Sequence, residues 1–154
     1  MGEEGGQHIV ARNRKARHDY EILETFEAGI VLKGPEVKSV RAGKIQLRES
    51  FARIDGGELW LHGAHVSPYG PAGIRNEDPV RSRKLLLKRS QLRRLMRKVD
   101  EKGMTLVPLD VHFRRGFAKV AIGLCRGRKS HDQRQELRRR QHERDMQREL
   151  GRRT

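Results

Sequence analysis

The sequence predicts a mainly β body, a small barrel with flanking helices, followed by a basic tail. Three patterns carry that expectation. Apolar residues alternate along one long stretch from Tyr20 to Leu32. Two further pairs of alternating runs are each joined through a glycine turn, and beyond Arg126 sizeable apolar side chains nearly vanish among arginines. Period-2 alternation marks a strand with one buried face, and glycine turns between such runs mark hairpins.

The long stretch organises the rest. Tyr20, Ile22, Phe26, Ala28, Ile30 and Leu32 fall on every second position, broken only by Glu24, while Glu21, Thr25 and Glu27 take the other face. A strand of about 13 residues spans roughly 40 Å, too long for one flat pairing, so it is expected to bend near Gly29 and pair on both sides. Ahead of it, residues 1–7 are acidic, glycine-rich and expected to be disordered. Residues 8–19, HIVARNRKARHD, suit either a basic arm on the barrel surface or a solvated lead-in.

At Gly34 and Pro35 the period changes, since Val37 and Val40 sit three apart, and proline opens a helix without losing a hydrogen bond. Gly43 closes that short helix. Ile45 and Leu47 lead into a hairpin whose turn is Asp55, Gly56 and Gly57, residues that tolerate positive φ. Residues 63–79 read as one long surface loop, after which Asp78 and Pro79 predict a helix start. Ser90 opens a better-defined helix. Leu92, Leu95, Met96 and Val99 form its core stripe, Arg93, Arg94, Arg97 and Lys98 face water or RNA, and Gly103 ends it. Thr105 to Phe113 and Val120 to Leu124 alternate around Gly116 as a second hairpin.

Charge narrows the function. In 154 residues, 35 Lys and Arg face 20 Asp and Glu, a net charge of +15 that attracts polyanions before any specific contact forms. Nucleic acid is the first partner to consider. No apolar run approaches a membrane span and no basic helix carries an aromatic face, so no membrane partner is expected. The acidic start resembles no targeting peptide, and the single Cys125 suits a reducing cytoplasm.

The last 29 residues hold 11 Lys and Arg against 5 Asp and Glu, with only Leu137, Met146 and Leu150 as sizeable apolar groups. Such a segment cannot bury enough surface to offset its ordering entropy, so it is expected to be disordered when free. Arg140, Arg144, Arg148 and Arg152 recur every four residues, and Glu136 with Arg140 forms a favourable i, i+4 pair. A polyanion along that stripe would fold the tail into a helix; the bland alternative is a solubilising tail.

No phosphate loop, dinucleotide fingerprint, nucleophile elbow or paired-cysteine zinc spacing occurs. His62 and His65 lack a third ligand, so neither metal nor cofactor is expected. Glu24 and Glu27 have no acid–base partner nearby in sequence, and Cys125 reads as core filler. No catalytic site is expected.

Several stretches carry a family resemblance. NRKARHDY at 13–20, EAGIVLKGPEVKSVRAGK at 27–44, HVSPY at 65–69, DPVRSRKLLL at 78–87, GMTLVPL at 103–109, KVAIGLCRGRK at 119–129 and HDQR at 131–134 resemble the SmpB family of bacterial SsrA-binding proteins. The match runs in order from about residue 8 to 134; the far tail agrees more in charge than in residues.

The resemblance implies an OB-fold-like closed barrel over 8–125 and a C-terminal tail over 126–154 that becomes helical on the ribosome. It implies binding to the tRNA-like domain of transfer-messenger RNA and delivery of that RNA to stalled ribosomes. The tail would enter the decoding centre and the empty mRNA channel. Elongation factor Tu would be a partner only through the charged RNA, and the protein would act as a monomer and catalyse no covalent step.

By the same resemblance Asn13, Tyr20, Glu27, Leu86 and Lys119 face the RNA, with Arg126, Gly127, Arg128 and Lys129 after the barrel. Lys15, Lys38, Arg41 and Lys84, which lie in matched segments, complete the RNA-binding set. Tyr20 could stack on a base, Glu27 accept from a base or ribose donor, and the cations meet phosphates. Core packing is the alternative for Tyr20 and Leu86. His131, Asp132 and Arg134, followed by Arg138, Arg140, Arg144 and Arg148, form the expected ribosome-contacting set. Gln133 and His142 depart from the usual family residues. A structural ribosomal protein with a permanently buried tail is the competing reading.

Overall fold

In the computed structural model of the chain, residues 7–101, 103–127, 141–148 and 150–151 are described. The elements in order are β1 (Gln7–Arg12), α1 (Arg14–Asp19), β2 (Tyr20–Ile30), α2 (Gly34–Arg41), β3 (Ile45–Gln46), β4 (Phe51–Asp55) and β5 (Glu58–His62). They continue as β6 (His65–Val66), a 3-10 turn (Gly70–Arg75), β7 (Arg83–Leu86), α3 (Arg89–Val99), β8 (Met104–Arg114) and β9 (Phe117–Gly127).

All pairings are antiparallel, and they run in a circuit. β8 pairs with β4, β4 with β5, β5 with β7, β7 with β2, β2 with β9, and β9 returns to β8. β1 lies along the end of β8 that β4 leaves free. The long strand β2 pairs on both sides, as expected: with β9 from Tyr20 to Gly29 and with β7 at Gly29 and Ile30. Both expected hairpins form. Gly56 and Gly57, with φ of 59° and 77°, make the two-residue turn between β4 and β5, and Arg115 and Gly116, at 52° and 83°, make that between β8 and β9. Two successive positive φ values match the right-handed twist of the strands they join.

The interior is filled by alternate residues of these strands, among them Phe26, Ala28, Ile30, Leu59, Leu61, Leu85, Leu106, Val111, Val120, Ile122 and Leu124. Leu95, fully buried, plugs α3 into this core. A second, smaller cluster lies on the other side of the sheet, where Ala16 of α1 meets Val107, Leu109, Ala121 and Cys125, with Tyr20 and Ile22 at its edge.

That second cluster corrects the simple reading of β2. A bulge between Ile22 and Glu24 shifts the register, so Tyr20 and Ile22 face outward onto α1 while Phe26, Ala28 and Ile30 face the core. A bulge absorbs one residue and flips the alternation beyond it. A matching bulge between Pro108 and Asp110 turns Leu109 outward in β8.

Other expectations change as well. The segment expected to be a basic arm is strand β1 followed by helix α1, and Gln7, expected to precede the ordered body, already belongs to β1. Residues 1–6 lie outside the described residues. The loop from 63 to 79 contains β6 and the 3-10 turn. Asp78 opens no helix: its Oδ1 accepts from the Val80 N–H at 3.0 Å in a local turn, and strand β7 follows. The third helix starts at Arg89, one residue earlier than Ser90. Arg126 and Gly127, assigned to the tail, are the last residues of β9, paired with Glu21 and Tyr20.

Candidate RNA interface

The face of the sheet turned away from the main core gathers much of the expected set. In β2, β7 and β9 the buried residues Ala28, Leu85 and Val120 point inward, so Glu27, Leu86 and Lys119 point outward. Register places Leu86 beside Gly29, Gly29 beside Lys119, and Lys119 beside His112, one row across four strands. Leu86 and Lys119 flank Gly29 at ordinary contact distance. A Cβ there would lie 3.5 Å from the Leu86 Cβ and 3.8 Å from the Lys119 Nζ. Leu86 is 51% exposed, which no core role explains.

Glu27 occupies the next row, above Ala121 and Asp110. Its Oε2 accepts from His112 Nε2 at 2.7 Å and from Arg114 Nε at 2.9 Å. The other imidazole nitrogen, Nδ1, lies 2.7 Å from Asp110 Oδ1. Partial burial pushes the Glu27 carboxyl up, but the hydrogen bonds from His112 and Arg114 and their charges outweigh it and hold it below its ordinary value. Glu27 therefore stays ionised at neutral pH.

The remaining expected residues fall into three groups. Asn13 is buried: its Oδ1 caps α1 by accepting from the Ala16 N–H at 3.1 Å, and its Nδ2 donates to the Pro108 carbonyl at 2.9 Å. It builds the body rather than lining the face. Lys15 lies 3.4 Å from Glu49 on the surface, and Lys84, beside Leu86 in β7, lies 3.1 Å from Glu58. On α2, the Lys38 ammonium stands 5.8 Å from the Tyr69 ring and the Arg41 guanidinium 5.6 Å from the Phe113 ring. Tyr20 is half-buried against the α1 cluster at the far end of the same face, next to Gly127.

Arg128, Lys129, His131, Asp132, Arg134, Arg138 and Arg140 lie outside the described residues. Residues 141–148, including Arg144 and Arg148, are helical with every side chain exposed, so this helix buries no face on the body. α3 supplies a second cationic surface: Arg94 pairs with Glu24 at 2.8 Å, and Arg94, Arg97, Lys98 and Glu101 line an open hollow of about 320 Å³.

Sequence reasoning missed two groups. His112 and Arg114 lie 85 and 87 residues from Glu27 in sequence, yet both meet it, with Asp110 on the far nitrogen of His112. The legible signal is their own alternation, i, i+2 and i+4, between Val111 and Phe113 in an otherwise apolar run. The second group is Glu36, 4% exposed, which accepts from Arg81 at 2.6 Å and from Arg83 Nε at 2.8 Å; Arg83 is fully buried.

The carboxylates Glu24 and Glu27 point to opposite sides of β2, separated by the alternation after the bulge, and so form no pair. His62 Nδ1 lies 2.7 Å from Ser82 Oγ, and the described residues hold no group of three or more metal-ligating side chains. Burial pushes the Cys125 thiol up to about 11, leaving it inert at neutral pH. No helix among the described residues is long and apolar enough to cross a membrane.

Fold and face together define a class: small, strongly basic β-sheet proteins with helices on the sheet and a cationic extension, built to meet a polyanion. Comparison with known proteins gives the particular family. A family model described as SmpB protein matches residues 10–152. The SsrA-binding protein of Synechococcus elongatus is 52% identical over 153 residues, covering 99% of each chain. That of Streptococcus mutans is 52% identical over 142 residues, covering 92% of each. A solved structure described as "tmRNA-SmpB: a journey to the center of the bacterial ribosome" contains a chain 58% identical to this one, with a TM-score of 0.64 over 76% of this chain and 82% of that one. The chain belongs to the SmpB family.

Proposed function

We propose that this chain is an RNA-binding adaptor that holds the tRNA-like domain of transfer-messenger RNA and brings it to ribosomes stalled on broken messages, the first step of trans-translation. The body is an OB-type closed barrel whose outer face, with Glu27, Leu86, Lys119 and Tyr20, takes the folded RNA. Lysine and arginine side chains around it meet phosphates, and Glu27 accepts from a base or ribose donor. The single observation that carries this reading is the row Leu86, Gly29, Lys119 with Glu27 beside it, one exposed apolar group, one cation and one anion on the same sheet surface.

The segment from Arg128 to Arg148 serves the ribosome: His131, Asp132 and Arg134 at the decoding centre, Arg138, Arg140, Arg144 and Arg148 along the mRNA channel. In that channel ribosomal RNA neutralises the arginine stripe and holds the tail helical, extending the helix that residues 141–148 already form. The protein works as a cytoplasmic monomer, needs no cofactor, contacts elongation factor Tu only through the charged RNA, and performs no covalent step. Sequencing the RNA that co-purifies with the chain tests the proposal. One RNA species with a tRNA-like end is expected; ribosomal RNA in stoichiometric amount would instead support a structural ribosomal protein.

A further inference from the structure

We infer that His112 is a positioning residue for RNA recognition, clamping Glu27 so that this carboxylate meets the RNA through a single oxygen. The inference deepens the RNA-binding reading of the outer face and rests on it. His112 is 2% exposed, so it touches no ligand itself. It lies between two carboxylates, with Nε2 2.7 Å from Glu27 Oε2 and Nδ1 2.7 Å from Asp110 Oδ1. Asp110 is also buried, at 7% exposure, and its register partners are Ala121 of β9 and Arg12 of β1. A ring tied at both nitrogens cannot swing, so whatever it holds is fixed relative to the sheet.

Glu27 is what it holds. A glutamate on an open strand face samples several rotamers, and ordering it on binding subtracts from affinity. Here both lone pairs of Oε2 are occupied, by His112 and by Arg114 at 2.9 Å. Oε1 accepts from no described protein donor, which leaves it as the acceptor presented to a ligand. With Oε2 consumed, Glu27 cannot grip two donors of one base edge. It takes one donor, a ribose hydroxyl or an exocyclic amine, held beside the Lys119 cation. Held by Arg114 alone, the carboxylate would be free to turn about that one contact toward a competing pair with Lys119; the imidazole removes that freedom.

The test is a double-mutant cycle on the full chain, read as the dissociation constant for a tRNA-like RNA hairpin, with melting temperature measured beside it. Glu27→Ala is expected to weaken binding about tenfold, the worth of one hydrogen bond to a charged group. His112→Ala is expected to weaken it about fivefold, and the double variant no more than Glu27→Ala alone, because both remove one interaction. His112→Gln, which restores a donor to Oε2, is expected to bind within about twofold of the unaltered chain. Should His112→Ala unfold, His112→Phe replaces it in the cycle, filling the space without donating. Additive losses, or His112→Gln as weak as the non-donating variant, overturn the inference. An unchanged affinity in Glu27→Ala overturns the RNA reading of the face itself, and this inference with it.

Discussion

Glu27 gives Oε2 to two protein donors and leaves Oε1 without one among the described residues, and that division sets what each substitution there does. Glu27→Gln keeps an oxygen for His112 and Arg114, so the melting temperature is expected to hold while RNA affinity falls. Glu27→Ala removes the acceptor of an almost fully buried imidazole, an unpaired donor that costs about 1–3 kcal/mol, so both affinity and chemical-denaturation stability are expected to fall. Glu36 behaves differently because it touches only protein. Burial pushes its carboxyl up, but hydrogen bonds from Arg81, the Lys33 N–H and Arg83 outweigh that and hold it below its ordinary value of 4.5. A carboxyl depressed in the folded state adds stability that is fully present above that ordinary value and is lost as pH falls through the lower, folded one. Melting temperature is therefore expected to be level above about pH 5 and to drop in more acid solution. Glu36→Gln strands the buried Arg83 charge, and urea unfolding at neutral pH is expected to show a loss of about 3–5 kcal/mol.

At the scale of elements, what could be read from the sequence was whatever repeats locally. β2, the β4–β5 and β8–β9 hairpins and most of the α3 stripe announce themselves by period and by glycines that accept positive φ; Leu92, Leu95 and Val99 pack on the core as expected, whereas Met96, expected beside them, is exposed. β1 and β7 do not announce themselves. In β1 a register shift between Ile9 and Ala11 breaks the alternation, and in β7 the inward position ahead of Leu85 is Arg83, an arginine that can be buried only because Glu36, 47 residues away, neutralises it. No local pattern reports a partner at that distance. The same holds for the site: Tyr20, Glu27, Leu86 and Lys119 came from family resemblance, whereas the Asp110–His112 support came from strand register alone. Gly123 shows the tightness of the outer layer. A Cβ there would sit 2.9 Å from the Cys125 sulfur and 3.0 Å from Leu109 Cδ1. Gly123→Ala is expected to lower stability by about 1–3 kcal/mol through overpacking, measured by denaturant midpoint. Asn13→Ala removes the α1 cap and the stitch to Pro108, and a loss of about 1–2 kcal/mol is expected, with RNA affinity falling only as α1 loosens beneath Tyr20.

For the whole molecule the account separates a β body from a cationic tail, and a net charge of +15 spread over both. Log affinity for the RNA is expected to fall linearly and steeply with log salt, by roughly one unit of slope for each phosphate contact; a flat line would remove phosphates from the interface. The separation of roles is the central claim. It is tested most directly by the dissociation constant of the tRNA-like RNA domain for a chain lacking residues 130–154, compared with the full chain. The account predicts agreement within about twofold, with tagging on stalled ribosomes abolished in the same variant. A loss of affinity beyond about tenfold, near 1.4 kcal/mol, would contradict it, because the tail would then be part of the grip.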